Sequence, residues 1–241
     1  MKLTFLTPVR QMPGENVQRD TEPYLRRVLR PETELEFISI QKGSCTIESE
    51  TQAMLNGAEV WKLAREAEKR GSDGIFVDCF DDPAVYACRE CLTIPVFGGY
   101  VPSVLTAMGL AERVGIITTD EEGLLSEERK ARLHGFDTRI SAIRCVDMGV
   151  ALLRNDTAAL VDALLEACLR MKREDRVGAV CLGCTGMIQA MDQLEVKLRE
   201  RDCRLTVVEP VTAGVSWLER CCVMKKTNSL GVRIPADMQD L

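Results

Sequence analysis

The stretch RVGAVCLGCTGM, residues 176–187, joins a short apolar run to a turn that contains two glycines. The part VGAVCLG (177–183) predicts a buried strand, and MIQAMDQLEVKLRERD (187–202) has the spacing of an amphipathic helix. Cys184 therefore falls at a strand-to-helix turn. A cysteine at that place could fill core space, ligate a metal, or act as a nucleophile or a base.

The same alternation of apolar runs and helical patterns continues through the whole chain, which predicts an α/β fold with largely parallel sheets. The other strands are predicted at 2–7, 34–40, 74–78, 94–98, 113–119, 138–144 and 204–209. Further helical patterns occupy 51–71, 126–135 and 156–175. Several of the strand patterns are apolar throughout, which is typical of strands buried on both faces of a sheet.

A weak internal repeat divides the chain into two similar halves. When Cys79 is aligned with Cys184, GIFVDCF (74–80) falls on AVCLGCT (179–185), and each is followed by a helix and another strand. We therefore predict two similar lobes, each a mostly parallel sheet flanked by helices. Each lobe would carry one cysteine at the C-terminal end of a strand, the edge at which open α/β sheets bind ligands.

The composition excludes several classes of protein. The net charge of -6 and the lack of a Lys/Arg-rich run speak against nucleic-acid binding. The first apolar run stops at Pro8, and no stretch is long enough to span a bilayer, so we expect a cytoplasmic protein without a membrane partner. In that compartment the eleven cysteines would remain reduced.

Cys79 and Cys184 are the candidate catalytic pair. Asp82 and Pro83 are predicted as the N-cap and first residue of a helix after Cys79, and a thiol near a helix N-terminus is favoured as thiolate. Two such thiols that face each other would form a two-base device, in which one removes a proton and the other returns one. The alternative is that both cysteines only fill core space.

Other candidate sites are weaker. The pairs Cys88/Cys91 and Cys181/Cys184 lie too far apart for a compact zinc ribbon, so we expect no metal. His134, the only histidine, is expected to be a solvated residue at a helix C-terminus. The sequence has no phosphate-binding or dinucleotide-binding motif.

At five segments the chain resembles the hydantoin racemase branch of the aspartate/glutamate racemase superfamily. The segments are GSCTIES (43–49), VDCFDDPAVYACRE (77–90), IPVFGG (94–99), RVGIITT (113–119) and CLGCTGM (181–187). The resemblance implies two lobes with the active site in the cleft between them, a small-molecule substrate and no cofactor. It also implies that Cys79 and Cys184 are the two acid/base thiols of a racemase or epimerase that acts at a carbon next to a carbonyl.

The resemblance further assigns substrate-binding residues and lobe boundaries. Backbone N–H groups around Phe80 and Thr185 would hold the enolate oxygen, Thr118 and Thr119 would line the substrate, and Gly183 and Gly186 would belong to the same site. Lobe 1 would comprise 1–97 and 209–241, and lobe 2 would comprise 98–208. We expect a homo-oligomer, in which the tail at 225–241 is either mobile or packed on a partner subunit.

One departure from the family pattern concerns the substrate. Hydantoin racemases usually have Asn-Pro-Asn after the first strand, whereas this chain has Thr7-Pro8-Val9 followed by Arg10. Arg10 could supply a cation for an acidic substrate or be merely solvated. The alternatives are a maleate-type cis–trans isomerase, an arylmalonate-type decarboxylase, or a non-catalytic ligand-binding protein on the same fold.

Overall fold

The computed structural model describes residues 1–229. Its internal contacts form two compact units, Met1–Gly99 together with the chain from Gly214 onward, and Tyr100–Ala213. The chain therefore passes from one unit to the other between residues 99 and 100 and again between residues 213 and 214. The lobe boundaries implied by the family resemblance lie at 97/98 and 208/209. Residues 230–241, which the predicted lobe 1 and the predicted tail include, lie outside the described part of the chain.

The first unit contains a four-stranded parallel sheet with the order β2-β1-β3-β4. Its strands are β1 (Lys2–Thr7), β2 (Glu34–Ser39), β3 (Gly74–Val77) and β4 (Val96–Phe97). Its helices are α1 (Val17–Leu25), α2 (Glu50–Lys69) and α3 (Val85–Cys91). Every residue of β3 is buried, because helices cover both faces of a parallel sheet, and this accounts for its unbroken apolar sequence.

The second unit repeats this plan with the order β6-β5-β7-β8, again all parallel. The strands are β5 (Val114–Thr118), β6 (Ile140–Cys145), β7 (Ala179–Leu182) and β8 (Thr206–Val208). The helices are α4 (Tyr100–Leu110), α5 (Glu121–Leu133), α6 (Val150–Leu153), α7 (Thr157–Arg170) and α8 (Met191–Glu200). Helix α9 (Pro210–Val223) begins in this unit and ends in the first.

The fold class and all eight predicted strands are confirmed. In each sheet the strands follow the same spatial order, with the first strand of the half paired to the second and the third. Cys79 and Cys184 both lie two residues beyond the third strand, at its carboxyl end. None of the helices within residues 1–229 is long and apolar enough to cross a membrane.

Three local predictions differ from the structure. Helix α1 was not predicted, because Pro23 lies inside it and reads as a helix breaker. The helix after Cys184 starts as a 3-10 helix, Thr185–Ala190, before α8 begins. The predicted cap at Asp82 and Pro83 is wrong: α3 begins at Val85, and its N-cap is Ala84 in a left-handed conformation without a side-chain cap.

Candidate active site

Cys79 is held in place through its neighbours' backbone groups. The N–H of Asp78 donates to the carbonyl of Leu6 at 2.9 Å, which extends the pairing of β1 and β3 beyond the last strand residue. The carbonyl of Cys79 accepts a hydrogen bond of 3.1 Å from the N–H of Gly99, which follows β4. The half-buried Cys79 is therefore fixed between the carboxyl ends of β1 and β4.

The sulfur of Cys79 accepts a hydrogen bond from the backbone N–H of Asp81 at 3.4 Å. A hydrogen bond to sulfur stabilises the thiolate more than the thiol. The donor belongs to the turn before α3 and not to the helix N-terminus that the sequence predicted. The turn is tight, because Asp82 and Ala84 both have positive φ angles, 51° and 60°.

A buried amide connects the loops that follow β1 and β2. The side chain of Asn56, on α2, donates to the carbonyl of Pro8 at 2.9 Å and to the hydroxyl of Ser44 at 3.0 Å. Its oxygen accepts the N–H of Ser44 at 2.9 Å. Sequence reasoning missed Asn56, although a lone amide on the apolar face of a helix is a signal for a buried polar contact.

Cys184 lies in a turn that depends on a close approach of two backbones. The N–H of Gly183 donates to the carbonyl of Ile117 at 2.7 Å, and a Cβ on Gly183 would lie only 2.9 Å from that oxygen. Cys184 is the N-cap of the 3-10 helix and is half-buried. A Cβ on Gly186 would lie 3.6 Å from its sulfur, so the backbone at Gly186 runs beside the thiol.

Thr118 and Thr119 are buried at the carboxyl end of β5, next to Gly183. Their carbonyls accept hydrogen bonds from Val146 at 3.1 Å and Met148 at 2.9 Å. The hydroxyl of Thr118 faces the first turn of α5, where a Cβ on Gly123 would lie 2.4 Å from it. Of the predicted site residues, the second unit therefore brings together Thr118, Thr119 and the segment from Gly183 to Gly186.

Phe80 belongs to the first unit, next to Cys79, and its side chain is buried. The substrate-binding roles of Phe80, Thr118, Thr119, Gly183, Thr185 and Gly186 stay predictions.

Several other cysteines have the properties of core residues. Burial raises the pKa of Cys88 and of Cys168 to about 12, and it also raises the pKa of Cys181, which lies inside β7. These side chains are therefore neutral thiols near neutral pH. Within residues 1–229 no group of three or more potential metal ligands comes together.

His134 is the C-cap of α5, as its position in the sequence predicted, but it is half-buried and not solvated. Its ring centroid lies 5.1 Å from that of Tyr100 and 5.5 Å from that of Phe136. The histidine packs in an aromatic cluster of the second unit.

The family model for Asp/Glu/hydantoin racemases matches residues 14–218. The chain belongs to this family. It is 31% identical over 202 residues to a hydantoin racemase from Pseudomonas sp. (strain NS671), an alignment that covers 83% of this chain and 79% of the relative. The resemblance to hydantoin racemases is thereby confirmed, and the chain is a racemase-family isomerase.

Two solved structures have the same fold as this chain. An allantoin racemase from Klebsiella pneumoniae has a TM-score of 0.86 and 25% identity, with 95% of this chain and 90% of that chain covered. An arylmalonate decarboxylase has a TM-score of 0.63 and 19% identity, with 92% of each chain covered. The second likeness shows the fold alone.

Proposed function

We propose that this chain is a cofactor-independent racemase or epimerase in which Cys79 and Cys184 are the two acid/base groups. The observation that carries the proposal is the repeated placement of one half-buried cysteine two residues beyond the third strand of each parallel sheet. Ligands of open α/β sheets bind at this edge. The substrate we propose is a small cyclic ureide, such as a 5-substituted hydantoin or allantoin.

In the proposed reaction one cysteine is a thiolate and the other a thiol. The thiolate removes the proton from the carbon between the carbonyl and the ring nitrogen, and the electron pair moves into the carbonyl as an enolate. The thiol of the second cysteine then donates its proton to the opposite face of that carbon, which inverts the configuration. After product release the two cysteines have exchanged protonation states, and proton exchange with solvent restores the starting state; the exchanged state can also act directly on the other enantiomer.

The local geometry supports a thiolate at Cys79, because the N–H of Asp81 points to its sulfur. Backbone N–H groups at Phe80 and Thr185 are the proposed donors to the enolate oxygen, where preorganised donors stabilise developing charge. The substrate needs no strong electrophilic assistance, because the proton of a hydantoin is activated by both the carbonyl and the adjacent nitrogen. An unactivated amino acid is a harder carbon acid and would demand more electrostatic help.

The experiment that tests this function is proton NMR in D2O with single enantiomers of 5-substituted hydantoins and allantoin, alongside aspartate, glutamate, maleate and an arylmalonate. We expect the α-proton signal of a ureide to disappear together with its optical rotation. Fumarate formation from maleate, or loss of carbon dioxide from the arylmalonate without ureide racemisation, would assign one of the related chemistries instead. No reaction with any compound would contradict the proposed enzyme.

A further inference from the structure

Arg10 lies at the edge of the first sheet that also carries Cys79. Strand β1 pairs with β3 on one side and with β2 on the other, and Leu6 is in register with Val77. The loop that follows β1 therefore lies between the loop that contains Cys79 and the loop that follows β2. Arg10 is three residues beyond the end of β1, within this loop.

Arg10 is exposed, but its guanidinium is anchored by a hydrogen bond. Its Nε donates to the carbonyl of Gly43 at 2.6 Å, and its backbone N–H donates to the carbonyl of Ser44 at 3.0 Å. Two consecutive carbonyls of the loop after β2 thus hold both the main chain and the side chain of one residue. With Nε occupied, the two terminal nitrogens form a fork that matches a carboxylate.

The loop that anchors Arg10 is itself rigidly supported. Gly43 has a φ angle of 123°, and a Cβ there would lie 2.3 Å from the side-chain oxygen of Asn56. Asn56 is fully buried and also binds Ser44. The loop that anchors Arg10 is therefore held by a buried contact with α2. Because the guanidinium is already positioned, binding a ligand there would cost little side-chain entropy.

The two loops that form this anchor carry two cations, Arg10 and Lys42, and two carboxylates, Glu15 and Glu48. Lys42, next to Gly43, is exposed at the same loop. Among residues 1–229 neither Arg10 nor Lys42 forms an ion pair with a carboxylate, although the chain as a whole has a net charge of -6. An anionic group of a substrate that reaches Arg10 would therefore not have to displace an existing ion pair of the guanidinium.

We propose that Arg10 is a specificity-determining residue that selects cyclic ureides with a carboxylate on the substituent of the reacting carbon. This inference rests on the proposed function of the Cys79 site. The carboxylate would accept two parallel hydrogen bonds from the terminal nitrogens of Arg10. A neutral substituent of the same shape would leave this fork unpaired.

The test compares two probes of equal size, 5-(2-carboxyethyl)hydantoin and 5-(2-carbamoylethyl)hydantoin, which differ in charge. We expect kcat/KM to be roughly 10- to 100-fold higher for the carboxylate, as for a charge-assisted hydrogen bond. In R10Q this ratio should fall to about 1, mainly through a higher KM for the carboxylate, and R10K should keep part of it because lysine provides only a point charge. R70Q, which removes the same charge near the start of β3, should keep the wild-type ratio.

Binding gives a second readout that does not depend on turnover. The dissociation constants of both probes are measured by calorimetry with a C79S/C184S variant, with and without R10Q. A wild-type enzyme that racemises both probes equally, or an unchanged preference in R10Q, would overturn the role of Arg10 and leave the racemase proposal in place. Failure to racemise either probe or any neutral hydantoin, together with equal binding of the two probes, would overturn both.

Discussion

The turns that carry Cys79 and Cys184 occupy equivalent places in the two sheets, but they are built differently. The Cys79 turn uses left-handed, non-glycine residues at Asp82 and Ala84 and directs the N–H of Asp81 to the sulfur. The Cys184 turn uses Gly183, which packs against the backbone of β5, and passes directly into a 3-10 helix. The topology therefore sets where each thiol lies, whereas the local sequence sets which groups surround it.

The same contrast separates these two cysteines from those in the core. Cys88 and Cys168 are buried, and their pKa is raised by the loss of solvent. Cys79 and Cys184 are half-buried at the carboxyl-terminal edge of their parallel sheets, the edge at which open α/β sheets generally bind ligands. What distinguishes the two candidate acid/base groups from the buried thiols is partial exposure together with the equivalent position two residues beyond the third strand of each sheet.

The largest expected effect is that of replacing either candidate catalytic cysteine. C79S and C184S should each lower the rate of racemisation by at least about 1,000-fold, because a serine hydroxyl is a far weaker acid than a thiol. C203S is the matched control, since Cys203 is also half-buried but precedes β8 at the opposite edge of its sheet. Near-normal turnover in either active-site variant would disprove the two-base mechanism.

Two glycine substitutions test whether close backbone approach is needed at the Cys184 turn. In G183A the new Cβ would lie 2.9 Å from a backbone oxygen of β5, and we expect a loss of stability of about 1–3 kcal/mol with lower turnover. In G186A it would make only ordinary contacts of 3.6–3.7 Å, and the change should stay within about 0.5 kcal/mol. Urea denaturation measures the stability of both variants. Equal losses of stability in G183A and G186A would show that the close backbone approach at Gly183 is not required.

The pH dependence of stability tests the assignment of the core cysteines. Cys88 and Cys168 have a folded-state pKa of about 12, above their ordinary value of 9.0. Their stabilising contribution is therefore complete below pH 9 and is lost as the pH rises towards 12, because the unfolded chain ionises first. When the pH rises from 9 to 10, each of these two thiols should lower the free energy of unfolding by about 1 kcal/mol.

The measurement is urea denaturation under reducing conditions at pH 8 and pH 10. C168A, although less stable, should show a smaller loss between these pH values than the unsubstituted chain. Equal losses in the two proteins would show that the buried thiol of Cys168 does not contribute to the pH dependence.

The smallest expected effect concerns the backbone strain of the Cys79 turn. A84G should raise the unfolding free energy by up to about 1 kcal/mol, because glycine adopts a positive φ without a steric cost. It should also lower turnover, since the turn that directs the N–H of Asp81 becomes looser. R176G relieves a similar φ of 56° outside the site and should stabilise the chain without lowering turnover. Equal turnover in A84G and R176G would show that the left-handed conformation of Ala84 is not needed for activity.

The sequence was sufficient to predict the fold because the central strands of both sheets are buried on both faces. Strands such as β3 and β7 are apolar at every position, which is recognisable without a partner. Helix α1 is not predicted by the sequence, because proline is typical of helix ends and Pro23 lies inside this helix. Its buried residues Val17, Thr21 and Leu25 nevertheless recur every four positions. The cytoplasmic location and the homo-oligomer stay predictions.

The details of the candidate site were less accessible, because they depend on contacts between distant residues. Asn56 binds Pro8, 48 residues away, and the anchor of Arg10 joins loops 33 residues apart. The N–H that points to Cys79 depends on two positive φ angles at residues that are not glycine. No local pattern encodes these features, whereas the position of each cysteine at a strand end follows directly from the repeat.

The most direct test of the two-cysteine mechanism follows the isotope at the reacting carbon during the first turnovers in D2O. A single enantiomer of a hydantoin substrate is incubated with the enzyme, and deuterium is measured separately in the remaining substrate and in its mirror image. Two different acid/base groups predict that the inverted product carries deuterium while the remaining substrate keeps its proton. Deuterium that enters the remaining substrate as fast as the product forms would show that one group serves both faces and would contradict the account.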